Sequence, residues 1–257
     1  MTDFHVIIPA RFNSQRLPGK VLKEIAGKPM IQHVYERALE SGAISVVIAT
    51  DDKKVAKACE KFKAPVCMTE SSHASGTDRL AEAVVALEYD SEEIVVCLQG
   101  DEPQMPPQLI SQVAHNLAEH DNAKVATIAE KITNPEDLFN SHIVKVVMNY
   151  RNFAIYFSRA PIPWQRDSFK EIPPKNINTI ILTENYFRHI GLYAYHVSFL
   201  EEYTSFGVSP LEKLESLEQL RVLWNGYKIH VGVTECHVPA GVDLEVDLER
   251  VRRQLKN

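Results

Sequence analysis

The residues of this chain that could do chemistry collect in short loops. From residue 4 to residue 23 stand Arg11, Arg16, Lys20 and Lys23, with no acidic residue between them. Arg11 and Arg16 each carry a planar fork of N–H donors matched to phosphate oxygens, and Lys20 adds a compact point charge. Charge spacing alone favours a solvated basic loop. The position of this loop, directly after an apolar β-branched run, turns the reading toward the phosphates of a nucleotide. Neither GxGxxG nor GxxxxGK[ST] occurs, so side chains rather than a glycine-rich backbone must hold the anion.

Two aspartates pose a second question. Asp101, in QGDEP, ends an apolar run, where a carboxylate is costly unless it faces water or a cation such as Mg²⁺. A turn aspartate beside Gly and Pro reads equally well. Asp243, in GVDLEVDLERV, either caps the last helix or supplies a second metal ligand. Mg²⁺ commonly takes one or two protein carboxylates and completes its shell with phosphate and water, so two distant aspartates suffice. In RHIGLYAY, His189, Tyr193 and Tyr195 alternate and share one strand face, suited either to a polyol or to aromatic cross-strand packing. Arg159 and Trp164, in SRAPIPW, and Glu218 and Gln219, off a leucine stripe, are open to binding and to solvated readings alike.

The elements that must position these groups alternate in type. Apolar runs at residues 5–8, 45–49 and 94–98 are each followed by a helix-like stretch. This βαβ rhythm predicts an α/β fold with a mostly parallel sheet, whose ligands gather at the carboxyl ends of the strands. PARFNSQRLPGK, the pair Asp51 and Asp52, and QGDEP all fall there. Ser75 with Asp78, and Ser209 with Pro210 and Glu212, mark helix starts, the latter opening a stripe of Leu211, Leu214, Leu217 and Leu220. A last helix carries Leu244, Leu248, Val251 and Leu255. Residues 1–257 read as a single domain, with a β-rich insertion on the main sheet at about 130–200 that either covers the site or mediates dimerisation.

A chain of 257 residues with 45% hydrophobic content buries a substantial core without disulfides. Cys59, Cys67, Cys97 and Cys236 are scattered and form no CxxC pair, which predicts free thiols in a reducing compartment. No apolar stretch approaches a bilayer span and the N-terminus lacks a signal-peptide pattern, so the cytoplasm is expected, with no membrane partner. A net charge of −6 argues against nucleic acid as a partner.

PARFNSQRLPGK, GKPMIQHV, ATDD, SGTDRLAE, LQGDEP, YFSRAPIPW, RHIGLYAY, SPLEKLESLEQLR and GVD, in this order, resemble the 3-deoxy-manno-octulosonate (Kdo) cytidylyltransferases nearly end to end. The resemblance implies a Rossmann-like nucleotide-diphospho-sugar transferase fold and transfer of CMP from CTP to Kdo, giving pyrophosphate and CMP-Kdo for lipopolysaccharide synthesis. It further implies Mg²⁺ as cofactor and usually a homodimer. On this sequence it places Arg11 and Lys20 at the triphosphate, with Ser14 and Arg16 in the same loop. Ala10, Ser75, Gly76, Thr77 and Arg79 would line the cytosine pocket, and Gln99 would lie near ribose and sugar. Arg159, His189, Tyr193, Glu218 and Gln219 would hold the sugar acid, and Asp101 and Asp243 the metal, with Arg11, Lys20 and Asp101 as the catalytic set. The chain departs from the family where GVD continues with Leu244, Glu245, Val246 and Asp247 in place of Thr-Pro-Glu-Asp, and in a divergent loop at residues 165–178. The expected chemistry is in-line attack of the sugar's anomeric hydroxyl on the α-phosphorus. Rival readings are a synthetase for sialic acid or for an amino-substituted octulosonate, a glycosyltransferase, for which a DxD motif is lacking, and a non-catalytic sugar-binding module.

Overall fold

The β-branched run after His5 leaves no polar face, and the strand it forms is buried along its whole length in the middle of the sheet. The computed structural model describes residues 2–14, 16–73, 75–169, 177, 180–182 and 184–255. In chain order its elements are β1 (His5–Pro9), a 3-10 turn (Lys20–Leu22), β2 (Glu24–Ile25), β3 (Lys28–Pro29), α1 (Met30–Leu39), β4 (Ser45–Thr50), α2 (Lys53–Glu60), β5 (Val66–Met68), α3 (Gly76–Ala86), β6 (Ile94–Cys97) and α4 (Pro107–Ala118). There follow β7 (Val125–Lys131), α5 (Pro135–Phe139), β8 (Lys145–Met148), β9 (Ala154–Ser158), β10 (Phe187–His196), α6 (Val197–Tyr203), α7 (Pro210–Glu215), α8 (Gln219–Trp224), β11 (Ile229–Thr234) and α9 (Glu245–Gln254).

The main sheet runs β11-β7-β10-β6-β1-β4-β5, and every strand on this path is parallel to its neighbour except β10. Alternate strand residues feed the two faces. Val6, Ile8, Val46, Ile48 and Val96 pack with α1, α2 and α4, while Ile7, Val47, Ala49, Val95 and Cys97 pack with α3, α6 and α8. Burial on both faces is what makes these strands read as unbroken apolar runs. A smaller cluster of Leu17, Ile25, Met30, Val242, Leu248 and Val251 fastens α9 to the loop after β1. Cys59, Cys67 and Cys97 are buried and all four cysteines are free thiols. Among the described residues no helix is long and apolar enough to cross a membrane.

Three expectations are corrected. The stretch at about 130–200 is in part the main sheet itself: the carboxyl-terminal half of β10 lies between β6 and β7, antiparallel to both. Only the hairpin β8–β9 extends outward, pairing with the start of β10. The leucine stripe is not one helix, because Ser216 takes a left-handed conformation (φ 52°) between α7 and α8 and leaves Leu214 83% exposed. Asp243 does not cap α9; the Asp247 carboxylate accepts from the N–H groups of Asp243 and Leu244 and frees the Asp243 side chain to turn elsewhere. The divergent loop at 165–178 lies largely outside the described residues.

Candidate active site

At the carboxyl ends of β1 and β6 the chain leaves a cavity of about 300 Å³, lined by Arg11, Asn13, Ser14, Lys20, Ser75, Gly76, Gln99, Asp101 and Glu218. Strand and loop approach closely here. A Cβ on Gly100 would stand 2.9 Å from the Pro9 carbonyl oxygen, so only glycine lets the two strand ends meet. Gly19, at φ 66°, turns the basic loop back, its N–H bonding Phe12 O at 3.0 Å, and so starts the 3-10 turn at Lys20. Ser75 caps α3 in a reciprocal box with Asp78, which fixes the helix N-terminus at the cavity wall.

Lys20 is the centre of the arrangement. Its ammonium donates to Asp101 Oδ2 at 2.5 Å, to Asp243 Oδ1 at 3.1 Å and to the Val242 carbonyl at 3.2 Å. Arg16 reaches the other oxygen of Asp243 at 3.1 Å. Burial opposes a charge on Lys20, but Asp101 and Asp243 outweigh it and the ammonium is held above its ordinary pKa. The two aspartates, 142 residues apart in the sequence as numbered, are drawn together because Val242 N–H bonds Asp101 O at 2.9 Å. Beside them the Glu102 carboxyl is pushed up to about 8 by burial, with Asp101 and Asp243 adding to the effect. Two carboxylates and a carbonyl converging on one cation form a hard-oxygen donor set, and a small divalent ion that keeps its other ligands from phosphate and water fits it. Among the described residues no cluster of three or more His, Cys, Asp or Glu offers an all-protein metal cage.

A smaller chamber of about 50 Å³ adjoins, sharing Gln99 and Glu218 with the first and walled by Thr77, Tyr193, Tyr195, Tyr203 and Gln219. Glu218 accepts from Thr77 Oγ1 at 2.8 Å; burial raises its pKa against the opposing pull of Thr77 and Ser75. His189, Tyr193 and Tyr195 do share a face, with successive ring centroids 5.3 and 5.8 Å apart. The register against β7 jumps between Ile190 and Tyr193, yet it inserts two residues, so the parity of the pleat survives. Thr127 staples this bulge, donating to the Leu192 carbonyl at 2.8 Å and lying 3.0 Å from His189 Nε2.

Other sequence-predicted residues stand apart from both chambers. Ala10 is fully buried, its N–H tied to Ala49 O. Arg79 is 1% exposed on the inner side of α3, bound to Thr69 and Asp51. Asp52 caps α2. Arg159 points its guanidinium at the carbonyls of Glu215 (2.7 Å), Ser141 (3.1 Å) and Ser216 (3.5 Å), and so braces the α7–α8 corner. Trp164 packs edge-on against Phe169 at 5.3 Å. His189 packs against Phe157 and Tyr193 and lines neither of the two chambers. Sequence reading missed Asn13, Thr127, Tyr203 and Glu102. Asn13 and Glu102 adjoin singled-out residues, whereas nothing local marks Thr127 or Tyr203.

Burial lowers the pKa of His189 to about 3. A folded-state value below the unfolded one of about 6.5 means that the unfolded chain takes up this proton first. Stability is therefore expected to fall as pH drops from about 6.5 toward 3, and His189→Asn should flatten that acid limb. Thermal melts of both proteins across this range measure it; parallel limbs would remove His189 as a contributor.

Comparison with known proteins identifies the family. The cytidylyltransferase family model matches residues 5–229. The chain belongs to the cytidylyltransferase family. Among curated cytidylyltransferases, a 3-deoxy-manno-octulosonate cytidylyltransferase of Coxiella burnetii is 58% identical over 250 residues, covering 97% of this chain and 98% of the relative. Proteins of the same name from Hahella chejuensis and Pasteurella multocida are 55% and 52% identical, over 98% and 100% of this chain and 97% and 100% of theirs. A solved structure, CMP:2-keto-3-deoxy-manno-octonic acid synthetase complexed with CTP, superposes with a TM-score of 0.87 at 39% identity, covering 99% of both chains.

Proposed function

We propose that this cytidylyltransferase transfers CMP from CTP to 3-deoxy-D-manno-octulosonate, releasing pyrophosphate and forming CMP-Kdo. The observation that carries the reading is the meeting of Lys20, Asp101 and Asp243 at the mouth of the cavity that Arg11, Ser14, Ser75, Gly76 and Gln99 line. The triphosphate takes the basic end of this cavity, against Arg11, Arg16 and Lys20, and the cytosine lies toward the start of α3. The sugar acid lies beside the nucleotide on the side of Gln99 and Glu218, with the small chamber of Tyr193 and Gln219 at its inner edge. Arg159 acts on it indirectly, by holding the corner from which Glu218 and Gln219 project.

Sugar acid and nucleotide meet at Gln99 and Glu218, which border both cavities, so an anomeric hydroxyl held there faces the α-phosphorus directly and the barrier falls chiefly through alignment. Arg11 and Lys20 offset charge that grows on the phosphate oxygens as pyrophosphate leaves. Mg²⁺, held by Asp101 and Asp243, would supply further charge neutralisation at the phosphates. A cytoplasmic homodimer belongs to the same proposal; the exposed Tyr150 and Ile155 at the β8–β9 hairpin offer apolar surface for pairing.

The test is pyrophosphate release with CTP, Mg²⁺ and Kdo, with UTP and ATP as nucleotide controls and sialic acid and an amino-substituted octulosonate as alternative acceptors. Release with CTP and Kdo well above every control is expected. Equal release with UTP, or preference for another acceptor, would overturn the base or the sugar assignment.

A further inference from the structure

Lys20 has three N–H donors, and all three are engaged: by Asp101, Asp243 and the Val242 carbonyl. It keeps none for a phosphate in this position. Both oxygens of Asp243 are also taken, Oδ1 by Lys20 and Oδ2 by Arg16. The space between the two carboxylates therefore already contains a cation that is part of the chain. We propose that Lys20 is a built-in occupant of the divalent-ion position, which a metal ion fills only once nucleotide phosphates have drawn the ammonium away. This rests on the cytidylyltransferase reading above and deepens it.

Two cations cannot share this position. An ammonium bonded to both aspartates stands where a divalent ion would bind them, and like charges at such a distance repel strongly in a half-buried setting. The side-chain exposure of Lys20 is 13%, so little water screens it. Phosphate oxygens offer the ammonium equivalent acceptors a short swing away, on the cavity side where Arg11 and Ser14 lie. Nucleotide binding thus removes the competitor and brings the oxygens that complete the metal's shell. Metal and nucleotide must then favour one another's binding, and by linkage the effect is reciprocal. In the absence of both, Lys20 keeps the carboxylates from repelling each other and holds the loop after β6 against the segment before α9.

Mn²⁺ serves as the probe, its free concentration followed by electron paramagnetic resonance, with and without CTP and with no sugar acid present. Wild-type protein should bind Mn²⁺ weakly alone and about tenfold or more tightly with CTP. Lys20→Met should bind Mn²⁺ alone about tenfold more tightly than wild type and gain far less from CTP. Lys20→Arg, which keeps a cation, should remain weak without nucleotide. Melting temperature gives a second readout: without metal Lys20→Met should melt lower than wild type, and Mn²⁺ should raise its melting temperature by more than the wild type's. If Lys20→Met binds Mn²⁺ alone no better than wild type and gains no extra thermal stability from it, the inference is overturned. Asp101→Asn and Asp243→Asn separate this from failure of the underlying reading. Should both bind Mn²⁺ with CTP as wild type does, the metal position itself is wrong; should both lose it while Lys20→Met behaves as wild type, only the lysine's role falls.

Discussion

Asp101→Asn is expected to slow pyrophosphate release on the order of a hundredfold to a thousandfold while the protein stays folded. Asp101 lies in the loop after β6, its side chain is 29% exposed, and its bond to the core residue Val242 is through the backbone carbonyl, which the substitution leaves in place. The amide retains shape and removes only the charge. Lys20 keeps Asp243 and the Val242 carbonyl as partners. Binding of CTP, which rests on Arg11, Ser14 and the start of α3 as well, should weaken far less than turnover. Steady-state kinetics with circular dichroism measure both sides of this expectation, and a variant that keeps most of its activity would strike Asp101 from the catalytic set.

The largest loss of stability is expected away from the phosphates. Glu212 and Arg221 are each 7% exposed and meet through two bonds, at 2.8 and 2.5 Å, and the Arg221 guanidinium lies over the Tyr203 ring at 4.7 Å. Arg221→Met leaves a buried carboxylate without its cation, and breaking one side of such a pair costs about 3–5 kcal/mol. Pairing it with Glu212→Leu should recover part of that loss, since no charge is then stranded. The pair also sets the α7–α8 corner, and Glu218 and Gln219 project from it. In assays below the melting temperature Arg221→Met should raise KM for the sugar acid more than KM for CTP. Equal changes in both would show that the corner does not serve the sugar-acid site. Denaturant titration of the single and double variants gives the stability side.

Much of this was legible because it is local. Runs buried on both faces announce β1, β4 and β6, and the boxes at Ser75 and Ser209 follow from backbone donors that a side chain must satisfy. Arg11, Lys20, Asp101 and Asp243 stood out because a charge at the end of an apolar run needs a partner, and the structure brings Lys20 and both aspartates together. Other features depend on distance along the chain. A strand with apolar neighbours on both sides reads the same whether parallel or antiparallel, so the place of β10 could not be read. The stripe from Leu211 to Leu220 satisfies helical periodicity, yet Ser216 breaks it, and no local signal foretells a left-handed serine. Arg159 shows the same limit for side chains: a long guanidinium reaches carbonyls 18 and 56 residues away in sequence, and spacing does not choose among them.

The strand that runs antiparallel on the main path also governs when the sheet can close. Until the segment Phe187–His196 has left the ribosome, β6 and β7 each carry an unsatisfied edge, and about ninety residues separate β6 from its partner. The nascent chain must therefore keep a half-built sheet soluble, with the apolar ridges meant for β10 open to water. Refolding should show a late phase in which the centre of the protein, rather than its periphery, becomes protected from hydrogen exchange.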